Sequence, residues 1–324
     1  MRFADIVGHE PVAEMLRRAV TRNRIPHAIL FHGPDGVGKR SMALAFFSYL
    51  VCEERGPDDA CGVCRACRMV ADGAFPDLHV AAVDRAQIKI DEMRALMSRL
   101  YLQPMMGPWK CVLLDEAHLL NLPAANAALK TLEEPPSRTL FILITPTPDL
   151  LPQTIVSRCF QVPFGPLPAS VVADFLRRRR PDLPEAGVLD AAAQSRGSIG
   201  LALQLLENPA LQERKEFLLA FLALPAQGPA ERLRFSEGVA ANREEAPAWM
   251  SLLGILLSDL LLAASGQPSS ALANADLWPQ IQAFVDQVGV DRLLAVVDAY
   301  REWDRDRRYY PSTRTALDRI VLAI

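Results

Sequence analysis

Two distant runs, GPDGVGKRS at 33–41 and CVLLDEAHLL at 111–120, constrain this chain more than anything else in it. Together they are the two halves of a P-loop nucleotide site. Such a site is built only where a strand enters a glycine turn and leaves it as a helix. Gly33, Gly36 and Gly38 let the turn's backbone N–H groups cradle phosphates, and Lys39 adds an ammonium. The second run ends an apolar strand with Asp115, to hold magnesium, and Glu116, to align an attacking water. One position breaks the pattern. The residue after Lys39 should carry a hydroxyl for magnesium, and it is Arg40. Ser41 or a water replacing that hydroxyl is the alternative under which the site would still turn over ATP.

The rest of the first half supplies the context that the two runs require. Residues 28–33 read as a buried strand, 39–52 as a helix, 78–83 as a second strand and 91–102 as a helix. A helix over 124–132 is stopped by Glu133-Glu134-Pro135-Pro136, and 139–144 is another buried strand. Strands alternating with helices imply a parallel sheet covered on both faces, a three-layer α/β domain. Past Pro163 strand-like runs give way to helical spacing, broken near 181–184, 208–209, 225–229 and 267–270. The expected division is an α/β domain over 1–166, a small helical domain over 167–207 and a larger one over 208–324.

Composition limits the function classes. Half the residues are hydrophobic and 23% are charged, which fits packed domains rather than disorder. A net charge of −3 argues against coating nucleic acid by bulk electrostatics. The N-terminus has no apolar stretch of signal-peptide length, and no run approaches the roughly 20 apolar residues of a membrane helix. The apolar run at 252–264 is interrupted by Asp259 and reads as a buried helix. A cytoplasmic protein that contacts no membrane is the expectation.

In that setting Cys52, Cys61, Cys64 and Cys67, spaced C-x8-C-x2-C-x2-C, suit tetrahedral zinc better than disulfides. Four sulfurs leave no position open for water, so the expected zinc is structural. Unrelated reduced cysteines are the plainer alternative. Residues 53–72 carry three basic side chains (Arg55, Arg65, Arg68) against five acidic ones (Glu53, Glu54, Asp58, Asp59, Asp72), unlike a DNA-reading zinc module.

FADIVGHEPV (3–12), the P-loop, the cysteine insert, DEAH (115–118), ALKTLEEPP (128–136) and LPQTIVSRC (151–159) together resemble bacterial clamp-loader subunits. The resemblance is dense over the first half and rests only on helical texture beyond it. It implies an AAA+ module of sheet domain and helical lid, followed by an all-α collar that oligomerises. Such subunits form a ring with gamma or tau and delta subunits that uses ATP to place a sliding clamp on primed DNA. Arg40, and Gly200 in Gly197-Ser198-Ile199-Gly200 where motor subunits carry arginine, resemble the delta-prime branch, as does Phe75-Pro76-Asp77. In that branch ATP hydrolysis is weak or lost. Lys39, Asp115 and Glu116 are nevertheless retained, which leaves ATP and magnesium binding open and a gamma/tau-like motor as the alternative.

By the same resemblance, Arg158 of Ser157-Arg158-Cys159 is an arginine finger acting on a neighbouring subunit's ATP, and Thr145 touches the γ-phosphate or its water. The plainer readings are an arginine capping a helix C-terminus and a strand-ending turn former. Arg177–Arg180 read as a solvated helix end rather than a phosphate contact, and His118 as a strand-end residue. Met105, Met106 and Trp109 read as packing or rim residues. Arg301, Arg305, Arg307, Arg308, Tyr309 and Tyr310, interleaved with Glu302, Asp304 and Asp306, read as an exposed, salt-bridged helix end rather than a DNA surface.

Overall fold

The computed structural model describes residues 1–81, 88–207, 214–241, 245–306 and 312–324, without the side chains of Pro247, Ser270, Arg305 and Asp306. The chain divides into two compact units, Met1–Val171 with Gly197–Gly200, and Val172–Arg196 with Leu201–Ile324.

In the first unit the apolar runs pair into a parallel sheet in the order β2-β3-β4-β1-β5. The strands are β1 Ala28–His32, β2 Leu78–Val80, β3 Lys110–Leu114, β4 Thr139–Thr145 and β5 Phe160–Pro163. Every residue of β3 and β4 is buried, the unbroken pattern that a sheet covered on both faces demands. Alternation then sorts the side chains. Ile29, Phe31, Cys111, Leu113, Leu140 and Ile142 join one core with Leu16, Phe46 and Phe47. Leu30, Val112, Leu114, Phe141 and Leu143 join another with Ile88, Leu100 and Leu132. These two cores lie on the two faces of the sheet, as the expected three-layer α/β domain requires. Its helices are α1 Glu10–Thr21, α2 Lys39–Val51, α3 Arg65–Ala71, α4 Ile90–Leu100, α5 Leu122–Glu133 and α6 Gln153–Val156.

The differences from expectation have local causes. β5 carries no readable pattern because only Val162 of its four residues is buried, and it ends on a proline at the sheet edge. The strand expected at 78–83 runs over Leu78–Val80, and Ala82 and Val83 lie outside the described residues. The helix expected over 91–102 stops at Leu100, where Lys110 Nζ takes the Leu100 and Leu102 carbonyls. His118 sits in a buried 3-10 turn, Ala117–Leu119, not at the strand end.

The second unit is helical: α7 Ala169–Arg179, α8 Glu185–Gln194, α9 Ile199–Glu207 (α7 and α9 belong to the first unit at their starts) and α10 Arg214–Leu222, then α11 Pro229–Ala241, α12 Ala246–Ala264, α13 Trp278–Val288, α14 Val290–Asp306 and α15 Thr313–Ala323. The breaks expected near 181–184 and 225–229 fall between helices, whereas Asn208 and Pro209 lie outside the described residues. α12 contains the apolar run around Asp259, and no helix among the described residues is long and apolar enough to cross a membrane.

Asp259 is fully buried and fully used. Its carboxylate accepts from Ala273 N at 3.0 Å, Asn274 N at 2.9 Å, Asn274 Nδ2 at 2.7 Å and Arg196 Nη2 at 2.5 Å. Arg196 holds a left-handed φ of 47°, a strain that this ion pair helps to fix. Asp259→Ala strands four donors at once and should cost about 3–5 kcal/mol. Urea denaturation should show a lower midpoint for the helical transition. A loss below about 1 kcal/mol would show that the network is dispensable.

Candidate phosphate loop, metal centre and exposed arginine

The C-terminal ends of β1, β3 and β4 lie side by side in the sheet, which brings together the loop after His32, Asp115 and Thr145. Gly33, Gly36 and Gly38 all take positive φ, at 135°, 73° and 105°, so the sequence's glycines stand where side chains would strain the turn. At Gly33 there is also no room, since a Cβ would lie 2.0 Å from the Phe164 carbonyl oxygen. α2 starts at Lys39, as the motif requires.

The charged groups of the loop are already engaged with one another. Lys39 is buried, and its ammonium donates to the Gly33 and Pro34 carbonyls at 2.6 Å each, with Asp35 3.6 Å away. Burial pushes its pKa down, partly offset by Asp35. Arg40 Nη1 donates to Asp115 Oδ2 at 2.5 Å. The residue standing where a magnesium ligand is expected thus neutralises the carboxylate that would hold the ion. Ser41 is half-buried and one helical step, about 100°, further round α2. Glu116 takes a left-handed φ of 52° just past β3. Thr145 is buried, and its hydroxyl accepts from Thr147 N at 3.1 Å, the bond of a turn former.

Two contacts on the loop carried no readable signal. His9 Nε2 lies 3.1 Å from the Val37 carbonyl oxygen, its ring 4.7 Å from that of Phe164. Burial pushes its pKa below the usual histidine value. Gly200 N donates to the Gly36 carbonyl at 2.9 Å, and a Cβ on Gly200 would lie 2.9 Å from Gly36 Cα. Gly200 therefore lacks a lid cation and has no room for one.

The four sequence-predicted cysteines converge. The Sγ atoms of Cys52, Cys61, Cys64 and Cys67 lie within 4.8 Å of one another, and all four are free thiols. A tetrahedral ion with about 2.3 Å bonds to sulfur fits that spacing after slight contraction. Backbone amides face the sulfurs: Cys61 N to Cys52 Sγ at 3.2 Å, Cys64 N to Cys61 Sγ at 3.2 Å, and Cys67 N to Cys64 Sγ at 3.4 Å. The amides of Val63 and Cys64 lower the Cys61 thiol to about 7, whereas burial raises those of Cys52 and Cys67. The donor set and its amides fit a closed metal centre. Asp59 ties the insert to the N-terminus, accepting from Phe3 N at 3.0 Å, Ala4 N at 2.9 Å and Ala60 N at 2.8 Å. Burial pushes the thiol of Cys159 up to about 12 and raises that of Cys111 as well.

Arg158 follows the short α6, about a third exposed. Its Nη1 donates to the Thr154 carbonyl at 2.8 Å, so it does cap the helix. It also grips Glu133, with Nε 2.9 Å from Oε1 and Nη2 on the same oxygen. Glu133 lies in ALKTLEEPP, a run whose function in holding this arginine the sequence did not disclose. Asp77, of Phe75-Pro76-Asp77, is likewise a hub: it accepts from Met105 N, Met106 N and Gly107 N and orders the turn before β3. Met105 is exposed in that turn, while Met106 and Trp109 pack against the core.

The basic run, read as a solvated helix end, carries ion pairs at Arg177 and Arg180. Arg177 pairs with Asp174 and Glu185, Arg178 donates to the Asp174 carbonyl, and Arg180 pairs with Asp182. Near the end of α14, Glu302 pairs with Arg319 of α15 at 2.6 Å. Arg307, Arg308, Tyr309 and Tyr310 lie outside the described residues, as do the side chains of Arg305 and Asp306.

Known proteins resemble this chain in sequence. The profile of the family described as DNA polymerase III, delta subunit, matches residues 8–168, and that of its C-terminal part matches 208–312. DNA polymerase III subunit delta' of Pseudomonas aeruginosa is 32% identical over 307 residues, covering 91% of this chain and 89% of that protein. The Escherichia coli subunit delta' is 30% identical over 289 residues, covering 89% and 84%. Subunit tau of Bacillus subtilis is 34% identical over 212 residues, covering 64% of this chain, which spans only 37% of tau's length.

Proposed function

This chain belongs to the delta-prime family of DNA polymerase III clamp-loader subunits, and from that premise we propose that it is the non-motor member of the loader. The observation that carries this reading is the Arg40–Asp115 ion pair, which leaves the chain's own phosphate loop without the equipment for hydrolysis. In the ring its partners are gamma or tau and delta subunits, and through the assembly a sliding clamp and primed DNA, in the cytoplasm. The helical segments divide into a lid over 167–207 and an oligomerising collar over 208–324.

In this reading the chain contributes to catalysis in trans. A neighbour's bound ATP draws Arg158 from Glu133, and the guanidinium stabilises charge on the γ-phosphoryl group as water attacks phosphorus and the bond to ADP breaks. Until then Glu133 and Thr154 hold the guanidinium against the end of α6. The alternative, an ATP-hydrolysing motor, is favoured by the likeness to tau and by the retained Lys39, Asp115 and Glu116. Reconstitution separates the two. Clamp loading onto primed DNA by tau and delta subunits should require this chain although the chain alone turns over no ATP. Loading at full rate without it would refute the role.

The metal of the cysteine cluster is zinc, and it staples the insert. Elemental analysis of fresh protein should find about one zinc per chain, and none in Cys61→Ser. The loader's ATPase should survive that change, because the length of α2 separates the phosphate loop at Lys39 from the cluster, which begins at Cys52. Fresh wild-type protein without metal would remove the assignment.

A further inference from the structure

Magnesium is the ion that a phosphate loop takes with its nucleotide, and the residues present do not fit it. Mg²⁺ demands six oxygens at about 2.0–2.1 Å. Here the position after Lys39 supplies a guanidinium, which has N–H donors and no acceptor. It cannot join a coordination shell, and its charge opposes a dication. Nor does it stand aside, since Nη1 is 2.5 Å from Asp115 Oδ2. Ser41 stands one helical step, about 100°, further round α2 from the position that carries the missing hydroxyl. The loop's other cation is satisfied internally too, with Lys39 Nζ on two carbonyls and near Asp35.

We propose that Arg40 is a tethered cation standing in for the divalent ion, neutralising Asp115 and barring metal from the loop. The charge balance that a motor subunit changes with each metal–nucleotide complex is here written into the chain. A nucleoside polyphosphate entering this loop does so as the metal-free anion, and the loop does not cycle between metal-loaded and empty states. The inference concerns the chain by itself and stands whatever place the chain holds in an assembly.

The test uses Mn²⁺ as the probe, with ADP, and reads free Mn²⁺ by electron paramagnetic resonance over the full-length chain. Wild type should take up no Mn²⁺, so free Mn²⁺ should never fall below its level without protein, and it should rise wherever the chain withdraws metal-free ADP. Arg40→Thr removes the guanidinium and restores a hydroxyl; because Arg40 is about half exposed, the variant should fold, which its melting curve checks. A group bonded to a metal-ligating carboxylate tunes metal affinity by about 10–100-fold, so R40T should bind Mn²⁺ roughly tenfold or more tightly than wild type. Adding Asp115→Asn to R40T should abolish the gain. Uptake of one Mn²⁺ by wild type, lost in Asp115→Asn, would overturn the proposal. So would a folded R40T that binds Mn²⁺ no better than wild type, because Arg40 would then not be what excludes the metal.

Discussion

Arg158→Ala should fold, keep its metal and assemble, yet leave the loader with little of the ATPase at the site that Arg158 serves. The side chain is partly exposed and its contacts are surface ones to Glu133 and Thr154, so the core loses nothing. A finger arginine, by contrast, is worth roughly 10³–10⁵ in rate where it acts, about 4–7 kcal/mol of transition-state stabilisation. Assembly and hydrolysis should therefore separate. Rings built from mutant or wild-type chains with the same motor subunits would be compared for size and steady-state turnover. Wild-type turnover in a fully assembled mutant ring would make Arg158 a helix cap and nothing more.

The contrast with Arg158 also marks what the sequence could disclose. Glu133 is 25 residues away and Asp115 is 75 residues from Arg40, so neither ion pair leaves a local signature. The glycines of the loop were legible because positive φ has few other solutions, and the buried strands because an unbroken apolar run has few other uses. The cysteine cluster was legible because ligand spacing is a local property. α3 was not, since it is a seven-residue helix that starts inside the insert and has three buried residues. Asp59 and Asp77 were not, because a carboxylate that organises backbone amides looks in sequence like any surface acid. Gly200 was half legible. Its departure from arginine is visible in the sequence, but the reason, a backbone pressed against Gly36, is not.

The second large effect to be expected is an absence of turnover in the chain alone. Arg40 cannot supply the hydroxyl that binds magnesium, and it ties up Asp115. Gly200 offers no lid cation and, against Gly36, no space to introduce one. Each missing stabiliser of developing phosphoryl charge is worth about 3 kcal/mol. Two such losses make about 6 kcal/mol, or roughly 10⁴-fold in rate. The retained Lys39 does not compensate, because holding phosphates in ground and transition states alike leaves the barrier where it was. The most direct measurement of the non-motor claim is steady-state ATP hydrolysis by the purified chain, alone and with primed DNA. Release of phosphate at the background rate in both conditions is the expected result. DNA-stimulated turnover comparable to that of a motor subunit would contradict it.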